Sequence, residues 1–337
     1  MPEPLTHVRQ ISHIAYGFMA SQALFAALNI GLFGHISSGK QTLESLCALT
    51  GIAEHRLKTL MAVLVSLGLV VGEEDGFTNA PATERYLVPG APAYFGDYYR
   101  FQIDRQIYHY MPHVHAGLAG DPGGLAHESM GGLLADPRNA RDFSKAQHAG
   151  SLGPAKLMVE QIDLSGAKTL LDVAGGTGAY SITFCAKYPA LKATILDFPS
   201  VIEVAREYVN HAGMAGRIGL IGGDATKTAW PEQQTVVLMS YLLSAVGGGQ
   251  IPALLDSAWK ALAPGGRLII HDFMLHEDRE GPLSAALFFL SYLALRTDPI
   301  SFTAGELTPL LSARGFTHIS SGEMIPEITG FILAQKV

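Results

Sequence analysis

Lys168-Thr-Leu-Leu-Asp-Val-Ala-Gly-Gly-Thr-Gly-Ala-Tyr180 is the stretch that sets the fold of this 337-residue chain. Its apolar residues surround a single acid, Asp172, and this pattern predicts a buried parallel strand. Gly175, Gly176 and Gly178 then turn the chain before a predicted helix. Glycines at such a turn allow backbone N–H groups to approach a ligand closely. Many nucleotide and phosphate sites use a turn of this kind, so the residues that follow decide the ligand.

Composition narrows the class of protein and its partners. Hydrophobic residues make up 48% of the chain and charged residues 16%, which is typical of an ordered globular protein. The net charge of −7 disfavours partners such as nucleic acid or an anionic membrane. Two distant cysteines and an N-terminus without signal-peptide features predict a cytoplasmic location. The apolar run 60–71 is too short to span a bilayer.

Strand and helix patterns alternate from residue 168 to the end of the chain, which predicts a mainly parallel sheet covered on both faces. The first 90 residues instead read as three helices and a hairpin, the outline of a winged-helix module. We therefore predict an α/β protein in three parts. A winged-helix-like dimerisation domain spans 1–92, a helical connector with the substrate pocket spans 93–162, and a Rossmann-like domain spans 163–337.

A winged-helix outline suggests either DNA binding or dimerisation. Residues 1–90 hold five basic and seven acidic residues, so the module is net negative. The helix that would read DNA is apolar, which predicts a core helix. Its apolar residues are Leu57, Leu60, Met61, Val63, Leu64 and Leu67. Ile11, Ile14 and Phe18 also lie on an apolar stripe that is wide enough to pack against a second subunit. We predict dimerisation.

Aromatic, cationic and histidine side chains are interleaved in residues 93–120, a composition that suits the wall of a polar pocket. His109 and His113 are spaced to share a helix face with metal-ligand geometry, and His115 is close by. No cysteine or carboxylate completes a recognisable set, so we predict no metal site here. Residues 117–132 are rich in glycine and proline and predict a loop.

Two further acids identify the ligand of the glycine turn. Asp197 ends the next strand, 19 residues after Gly178, where a carboxylate can accept from ribose hydroxyls. Asp224 follows the third strand and suits an adenine amino group. The turn lacks the Gly-x-Gly-x-x-Gly spacing of dinucleotide enzymes, and no Walker lysine follows. With Asp172, these acids form a rim that disfavours phosphates and favours a cationic sulfonium.

These motifs, together with Ala263-Pro-Gly-Gly266, resemble the class I S-adenosylmethionine-dependent methyltransferases. The helical module in front resembles that of the plant caffeate and acetylserotonin O-methyltransferases and their bacterial relatives. The resemblance implies a swapped homodimer, a small-molecule acceptor and S-adenosylmethionine (SAM) as cofactor. The predicted cofactor-binding residues are Asp172, Gly175, Gly176, Gly178, Asp197, Phe198, Asp224, Ala225, Ser240 and Ser151.

The chain departs from that family at the catalytic position. Family members carry a His-Asp-Trp run after the fourth strand, and its histidine is the general base. Here Ser244 falls at that position, while Asp272 matches one acid that orients the histidine and Ser301 replaces the other. The predicted catalytic residues are Tyr241, Ser244, Asp272 and His271, although strand alternation would point His271 away from Asp272.

A missing base favours an acceptor with no proton to lose. A thioether sulfur attacks a methyl group directly, so orientation and exclusion of water suffice. We predict S-methylation of a thioether acid such as 4-methylthio-2-hydroxybutyrate, the reaction of one bacterial branch near this family. Such an acid needs an arginine clamp. The predicted substrate-binding residues are Arg100, Arg105, Tyr108, His109, Gln147, His148, Tyr292 and Arg296.

Two other hypotheses stay open. The chain could methylate oxygen, or carbon as a relative acting on bacteriochlorophyllide does, with a base recruited from His271, His148, His109 or His113. It could also bind SAM without transferring a methyl group. A pH–rate profile separates the first from thioether methylation.

Overall fold

A computed structural model of the chain describes residues 3–39, 41–120, 130–296, 298 and 300–337. Contacts between residues divide the chain into two compact units, Met1–Tyr108 and His109–Val337. The predicted connector, 93–162, is therefore divided between the two units. Of the predicted loop 117–132, residues 121–129 lie outside the described part of the chain.

The N-terminal unit is mainly helical, with one small hairpin. Its elements are α1 (Val8–Asn29), α2 (Leu32–Ser37), α3 (Leu43–Thr50), α4 (Glu54–Ser66), β1 (Val70–Glu73), β2 (Gly76–Asn79), α5 (Pro81–Leu87) and a π-helix (Tyr98–Ile107). The side chain of Thr42 caps α3, and β1 pairs antiparallel with β2. The predicted order of helices followed by a hairpin is confirmed, although four helices precede the hairpin where three were predicted, because Ile30 and Gly31 separate α1 from α2.

The α4 helix is buried along one face only. Leu57, Met61 and Leu64 lie in the core of the unit, spaced so that they share one side of the helix. Val63 and Leu67 are exposed in the isolated protomer, so the prediction that they belong to the core is wrong.

The α1 helix leaves most of its apolar surface uncovered. Ile14 is 71% exposed and Phe18 is 53% exposed, while only the last turns of the helix are buried. By length and hydropathy alone this helix could cross a membrane. The sequence pattern points only to the run 60–71 as the most apolar segment. An exposed stripe of this kind equally suits packing against a second protein surface.

The C-terminal unit opens with helical segments. They are α6 (Tyr108–Tyr110), which begins at the last residue of the N-terminal unit, a 3-10 turn (Met111–His113), α7 (Val114–Leu118), α8 (Met130–Leu133) and α9 (Pro137–Gln161). Asp136 caps α9, and Pro137 occupies its first turn.

Strands and helices then alternate as predicted. The elements are β3 (Thr169–Val173), α10 (Ala179–Lys187), β4 (Lys192–Asp197), α11 (Pro199–His211), β5 (Ile218–Gly222), β6 (Gln234–Ser240), α12 (Ile251–Ala261), β7 (Leu262–Asp272), α13 (Leu283–Leu295), α14 (Ala304–Ser312), β8 (Phe316–Ile325) and β9 (Thr329–Lys336).

These strands form one seven-stranded sheet in the order β5-β4-β3-β6-β7-β9-β8. The first five are parallel, while β9 and β8 pair antiparallel at the edge. Successive residues of β3 point to opposite faces, so Leu170 joins one apolar cluster and Leu171 the other. The strand order reverses between β3 and β6, and ligands bind at such a point, beyond the carboxyl ends of the strands.

Candidate cofactor and acceptor site

The glycine turn after β3 has a backbone that demands its glycines. Gly176 and Gly178 have φ values of 57° and 81°, in the left-handed region. A Cβ atom on Gly178 would lie 2.4 Å from Cδ1 of Ile195 in β4, so this glycine also permits close packing of the turn on the sheet. Ala174 has a φ of 55°, which is strained for a residue with a side chain. Strained backbone of this kind is concentrated at ligand sites.

Asp172 lies directly beneath the turn and is fully buried. Its Oδ2 accepts a hydrogen bond from the Ser181 hydroxyl at 2.7 Å. Its Oδ1 is buried and has no hydrogen-bond partner among the described residues. A Cβ on Gly175 would lie 2.6 Å from the carboxyl carbon, so only glycine leaves this acid open toward the turn. Burial raises the pKa of Asp172 to about 6, against the lowering effect of Ser181.

Asp197, at the end of β4, is held by backbone donors. Gly176 N–H donates to Oδ2 at 2.8 Å, and Phe198 N–H donates to Oδ1 at 2.7 Å. Each carboxylate oxygen keeps acceptor capacity for another donor, such as a ribose hydroxyl. Burial raises the pKa of Asp197 to about 6 despite these bonds. Phe198 packs in a small cluster with Leu134.

Asp224, after β5, is more exposed than the other two acids. Its Oδ1 accepts from the backbone and hydroxyl of Thr226, and its Oδ2 lies 3.1 Å from the Lys227 ammonium. The ion pair is exposed and contributes little to stability. The carbonyl of Ala225 accepts from the indole N–H of Trp230 at 2.9 Å, which fixes the loop beside the acid.

The three carboxylates and the glycine turn fit SAM. Three carboxylates stand at the ends of three adjacent strands, and a cationic ligand compensates their charge. The buried and unpartnered Oδ1 of Asp172 suits the ammonium of the methionine moiety, while Asp197 suits the ribose hydroxyls. The missing Cβ of Gly175 leaves the space that such a ligand needs. These contacts remain predictions for each residue.

The α9 helix carries two predicted residues, and one of them, His148, contacts the glycine turn. Nδ1 of His148 lies 2.7 Å from the hydroxyl of Thr177 within the glycine turn, and its ring packs 4.1 Å from the ring of Tyr208. Burial lowers the pKa of His148 to about 4, so it is neutral at pH 7. Ser151 lies one turn further along α9 and is partly buried. Thr177 was not predicted from the sequence, because a threonine between glycines carries no distinctive signal.

His271 is enclosed by hydroxyl groups. Its Nδ1 lies 2.9 Å from the Ser240 hydroxyl and 3.0 Å from that of Tyr180, and its Nε2 lies 2.9 Å from the Thr329 hydroxyl. Burial lowers the pKa of His271 to about 3. The side chain is fully buried, with both ring nitrogens engaged. The geometry therefore gives His271 a supporting place beside Ser240, in contrast to the catalytic place expected for it.

Ser244 and Asp272 form a tight buried pair. The Ser244 hydroxyl donates to Oδ1 of Asp272 at 2.5 Å, and Ser244 N–H donates to Oδ2 at 3.0 Å. Phe273 N–H also donates to Oδ1, at 2.9 Å. Burial raises the pKa of Asp272 to about 6 against the lowering effect of these bonds. Asp272, which by resemblance matches an acid that orients the family's histidine, accepts a hydrogen bond from a serine in this structure.

Aromatic rings line the edge of the sheet beside this pair. Phe273 and Phe288 stack with centroids 3.9 Å apart, and Tyr241 lies 5.2 Å from Phe273. Tyr241 has a φ of 54°, a second strained residue at the end of a strand. Tyr292, on α13, is partly exposed, and burial raises its pKa to about 12. Phe273 and Phe288 were not singled out in the sequence, because apolar residues there also read as core.

Arg296 follows α13 and lies next to Tyr292. Its guanidinium donates to the carbonyl of Ala245 and lies 5.6 Å from the centre of the Tyr292 ring. Its Nε is buried and unpartnered among the described residues. Burial lowers the pKa of Arg296, although the group stays cationic at pH 7. Ser301 accepts from Arg279, so it serves an exposed contact.

Arg100 and Arg105 occupy the π-helix of the N-terminal unit. Their guanidinium groups lie 5.1 and 4.8 Å from the ring of Phe101, on which both pack. Arg100 also pairs with Asp97 at 3.3 Å. Tyr108, at the end of this unit, packs edge-on against an aromatic ring of α1.

The remaining predicted residues lie in the C-terminal unit. Gln147 is on α9 and His109 is in α6. Within the described part of the chain, no group of three or more His, Cys, Asp or Glu side chains has metal-binding geometry, including the segment of His113 and His115.

Comparison with known proteins adds a family to this geometry. Residues 128–317 match the model of the O-methyltransferase domain, and residues 12–89 match that of the O-methyltransferase dimerisation domain. A 3-hydroxy-5-methyl-1-naphthoate 3-O-methyltransferase of Streptomyces sahachiroi is 28% identical, covering 92% of this chain and 89% of its own. The N,N-dimethyltransferase OxyT of Streptomyces rimosus is 25% identical over 97% of this chain and 95% of its own.

Solved structures share the fold. Human N-acetylserotonin methyltransferase, in a structure with SAM, superposes with a TM-score of 0.89 at 24% identity, covering 100% of this chain and 99% of its own.

Proposed function

Since the chain belongs to the O-methyltransferase family and carries that family's dimerisation domain, we propose that it methylates a hydroxyl oxygen on a small, anionic aromatic acceptor. SAM is the cofactor and supplies the methyl group, made electrophilic by its sulfonium. The chain is a methyltransferase acting on a small molecule, and its dimerisation domain supports a homodimer. The acceptor class is our proposal.

The observation that carries the proposal is the aromatic wall at the end of β6 and β7. The stacked pair Phe273–Phe288 and the ring of Tyr241 place apolar aromatic side chains at the carboxyl ends of β6 and β7, the same edge of the sheet as the cofactor acids. A planar acceptor stacks well on such surfaces, because offset and edge-on ring contacts contribute about 0.5–1.5 kcal/mol beyond burial. The relative from Streptomyces sahachiroi is named for a substrate of this kind, a hydroxylated naphthoate.

Arg296 supplies the reason to expect a negative charge on the acceptor. A half-buried guanidinium whose Nε is buried and unpartnered among the described residues gains most from an anionic oxygen. Its neighbour Tyr292 packs in the same apolar cluster as Phe273, so an acid group near Arg296 would place the ring of the acceptor near these aromatic side chains. Arg100 is a weaker choice, because Asp97 already neutralises it.

A panel of acceptors tests this proposal. Purified protein is incubated with methyl-labelled SAM and either a hydroxynaphthoate, the naphthol without its carboxylate, or a thioether acid. We expect the hydroxynaphthoate to be methylated and the naphthol to show a much higher KM. In Arg296→Ala this preference should disappear, whereas Arg279→Ala, which removes an exposed arginine of the same unit, should keep it. Methylation of the naphthol as efficiently as of the acid would contradict the proposed clamp.

Thioether methylation, the reaction expected from the sequence, remains a second candidate. One observation favours it: serine occupies the position that resemblance gives to the family's base, and the buried His271 and the half-buried His148, both with lowered pKa values, are poor substitutes. The named relatives methylate oxygen or nitrogen, so they give it no support. The thioether acid in the panel decides: turnover of it alone, with a flat pH–rate profile near neutrality, would replace the hydroxyl proposal.

A further inference from the structure

The imidazole of His271 is in contact with hydroxyl groups from three different elements. Its Nδ1 lies 2.9 Å from the hydroxyl of Ser240 at the end of β6, and 3.0 Å from that of Tyr180 in the first turn of α10. Its Nε2 lies 2.9 Å from the hydroxyl of Thr329, the first residue of β9. The ring is fully buried, and burial lowers the pKa of His271 to about 3, so the ring is neutral and carries one N–H.

The surroundings of the ring favour one position for that proton. The hydroxyl of Tyr180 is buried, and the structure gives it Nδ1 of His271 as a hydrogen-bond partner. A buried phenol proton without an acceptor is costly, so this proton is directed at Nδ1. Nδ1 is then unprotonated, and the ring donates its Nε2–H to the hydroxyl oxygen of Thr329.

An unprotonated Nδ1 also orients the hydroxyl of Ser240. At 2.9 Å from a nitrogen without a proton, this hydroxyl forms a hydrogen bond only by donating, and Nδ1 shares its lone pair between two donors. The proton of Ser240 therefore points into the protein, and its oxygen stays available to accept from a ligand. Ser240 is partly exposed, whereas Tyr180 and Thr329 are buried, so Ser240 is the member of this group that can meet a ligand.

Strand register places Ser240 near the acid beneath the glycine turn. Asp172 in β3 pairs with Leu238 in β6, and Ser240 pairs with His271 in β7. Because side chains alternate along a strand, Ser240 projects from the same face of the sheet as Asp172. It does so at the carboxyl end of the neighbouring strand, two residues beyond the partner of Asp172. A ligand group that reaches the unpartnered Oδ1 of Asp172 therefore lies close to Ser240.

We propose that His271 is a positioning residue that makes Ser240 a hydrogen-bond acceptor for the ammonium group of SAM. The ammonium carries three N–H donors, of which one suits the carboxylate of Asp172 and another the oxygen of Ser240. The carboxylate of SAM offers only acceptors, so it gains nothing from this oxygen. The inference depends on SAM as the cofactor and does not depend on which acceptor is methylated.

The other tautomer of His271 would lead to the opposite contact. With its proton on Nδ1, the ring would donate to Ser240, and Thr329 would donate to Nε2. The hydroxyl of Ser240 could then turn its own proton outward, toward the carboxylate of SAM. The two arrangements therefore differ in the charged group of the cofactor that Ser240 recognises.

The affinities of SAM and two analogues separate these arrangements. Decarboxylated SAM keeps the ammonium and lacks the carboxylate, whereas 5′-methylthioadenosine lacks both. We expect Ser240→Ala to weaken SAM and decarboxylated SAM by a similar factor, about tenfold or more in isothermal titration, and to change methylthioadenosine by less than about twofold. Ser291→Ala is the matched control, because it removes a buried hydroxyl that donates to the carbonyl of Phe288, and it should leave all three affinities unchanged.

Two amide replacements of His271 test the positioning itself. The amide of asparagine ends near the position of Nδ1, and the amide of glutamine ends near that of Nε2. His271→Asn can still offer an acceptor to Ser240, whereas His271→Gln keeps a group beside Thr329 and loses the contact with Ser240. We expect SAM and decarboxylated SAM to bind about tenfold more weakly to His271→Gln than to His271→Asn. A merely structural role would instead make affinity follow the stability of each variant in urea unfolding.

Nitrogen-15 NMR of histidine-labelled wild-type protein reads the tautomer directly, without turnover. We expect the ring of His271, identified by its altered signals in Ser240→Ala, to show an unprotonated Nδ1 and a protonated Nε2. A protonated Nδ1, a loss in Ser240→Ala that spares decarboxylated SAM, or equal SAM affinities of the two His271 variants would overturn the proposal. If the His271 variants fail to fold, the spectrum and Ser240→Ala still decide. Each of these results leaves the methylation of a hydroxyl untouched.

Discussion

Replacing Asp172 with asparagine separates two effects of its carboxylate, one on stability and one on cofactor binding. The carboxylate is fully buried, and its Oδ1 has no partner among the described residues. The folded pKa of about 6 lies above the reference value of 3.8. The folded protein therefore holds the proton more tightly, so stability is lost as the pH rises through this interval, and the loss is complete above it.

The size of the stability effect follows from that interval. A difference of roughly two pKa units corresponds to about 3 kcal/mol at pH 7, an upper bound because an amide in the same place also needs hydrogen bonds. We expect the cofactor-free Asp172→Asn protein to be at least as stable as wild type, with a gain on the order of 1 kcal/mol in urea unfolding.

Cofactor binding should change in the opposite direction. A hydrogen bond between the carboxylate and the ammonium of SAM is worth about 1.5–3 kcal/mol, so its loss should weaken SAM binding by roughly 10- to 100-fold. Adenosine lacks the ammonium, and its affinity should stay within a factor of about two. Isothermal titration with SAM, S-adenosylhomocysteine and adenosine measures all three.

Two controls frame this comparison. Asp224→Asn should weaken adenosine and SAM alike, because Asp224 is assigned to the adenine end. Asp163→Asn changes an exposed acid just before β3, at the opposite end of that strand, and should leave both affinities unchanged. Unaltered SAM affinity in Asp172→Asn, or an equal loss for adenosine, would refute the assignment of Asp172 to the ammonium.

Three further predictions concern the cofactor carboxylates, the glycine turn and the dimer. SAM affinity should fall as the pH drops below about 6, because burial raises the pKa of Asp197 and SAM binds the ionised carboxylate. Isothermal titration in two buffers of different ionisation enthalpy should show proton release on binding. Gly178→Ala should lower the unfolding free energy by more than about 2 kcal/mol, because the φ of Gly178 is 81° and an added Cβ would meet Ile195. Gly213 has a φ of 68° with open space around it, so Gly213→Ala should lower the unfolding free energy by only about 1 kcal/mol. Urea unfolding measures both. Ile14→Asp places a charge in the exposed apolar stripe of α1 and should convert the dimer to a monomer in light scattering, and a dimer that persisted would place the interface elsewhere.

Much of this fold could be predicted because its signals are local. The parallel strands are short apolar runs between helices, and the glycine turn and Asp197 follow such runs directly. The strand β8 was not predicted, because only Phe316 and Met324 in it are buried, Ile319 and Ile325 are partly buried, and the other residues of this edge strand are exposed. An edge strand without alternation carries no periodic signal.

The acceptor side was less accessible from sequence, because its contacts are distant along the chain. Ser244 meets Asp272 after a turn in which Tyr241 adopts a left-handed conformation. A tyrosine rarely does so, and no residue pattern announces it. Resemblance identified Ser244 as the position of the family's histidine base, but the sequence did not predict the hydrogen bonds between Ser244 and Asp272.

The replacement of histidine by serine has a chemical logic that the pair with Asp272 makes visible. In a histidine-based site the imidazole takes the proton and the acid only orients it. A serine is too weak a base to hold a proton, and the hydroxyl of Ser244 already donates its only proton to Asp272. Burial at the end of β7 raises the pKa of that acid to about 6. A site without a histidine base would favour acceptors with acidic hydroxyls, because such a hydroxyl ionises near neutrality without a strong base. Arg296 would act in the same direction, since a nearby cation lowers the pKa of an acceptor hydroxyl.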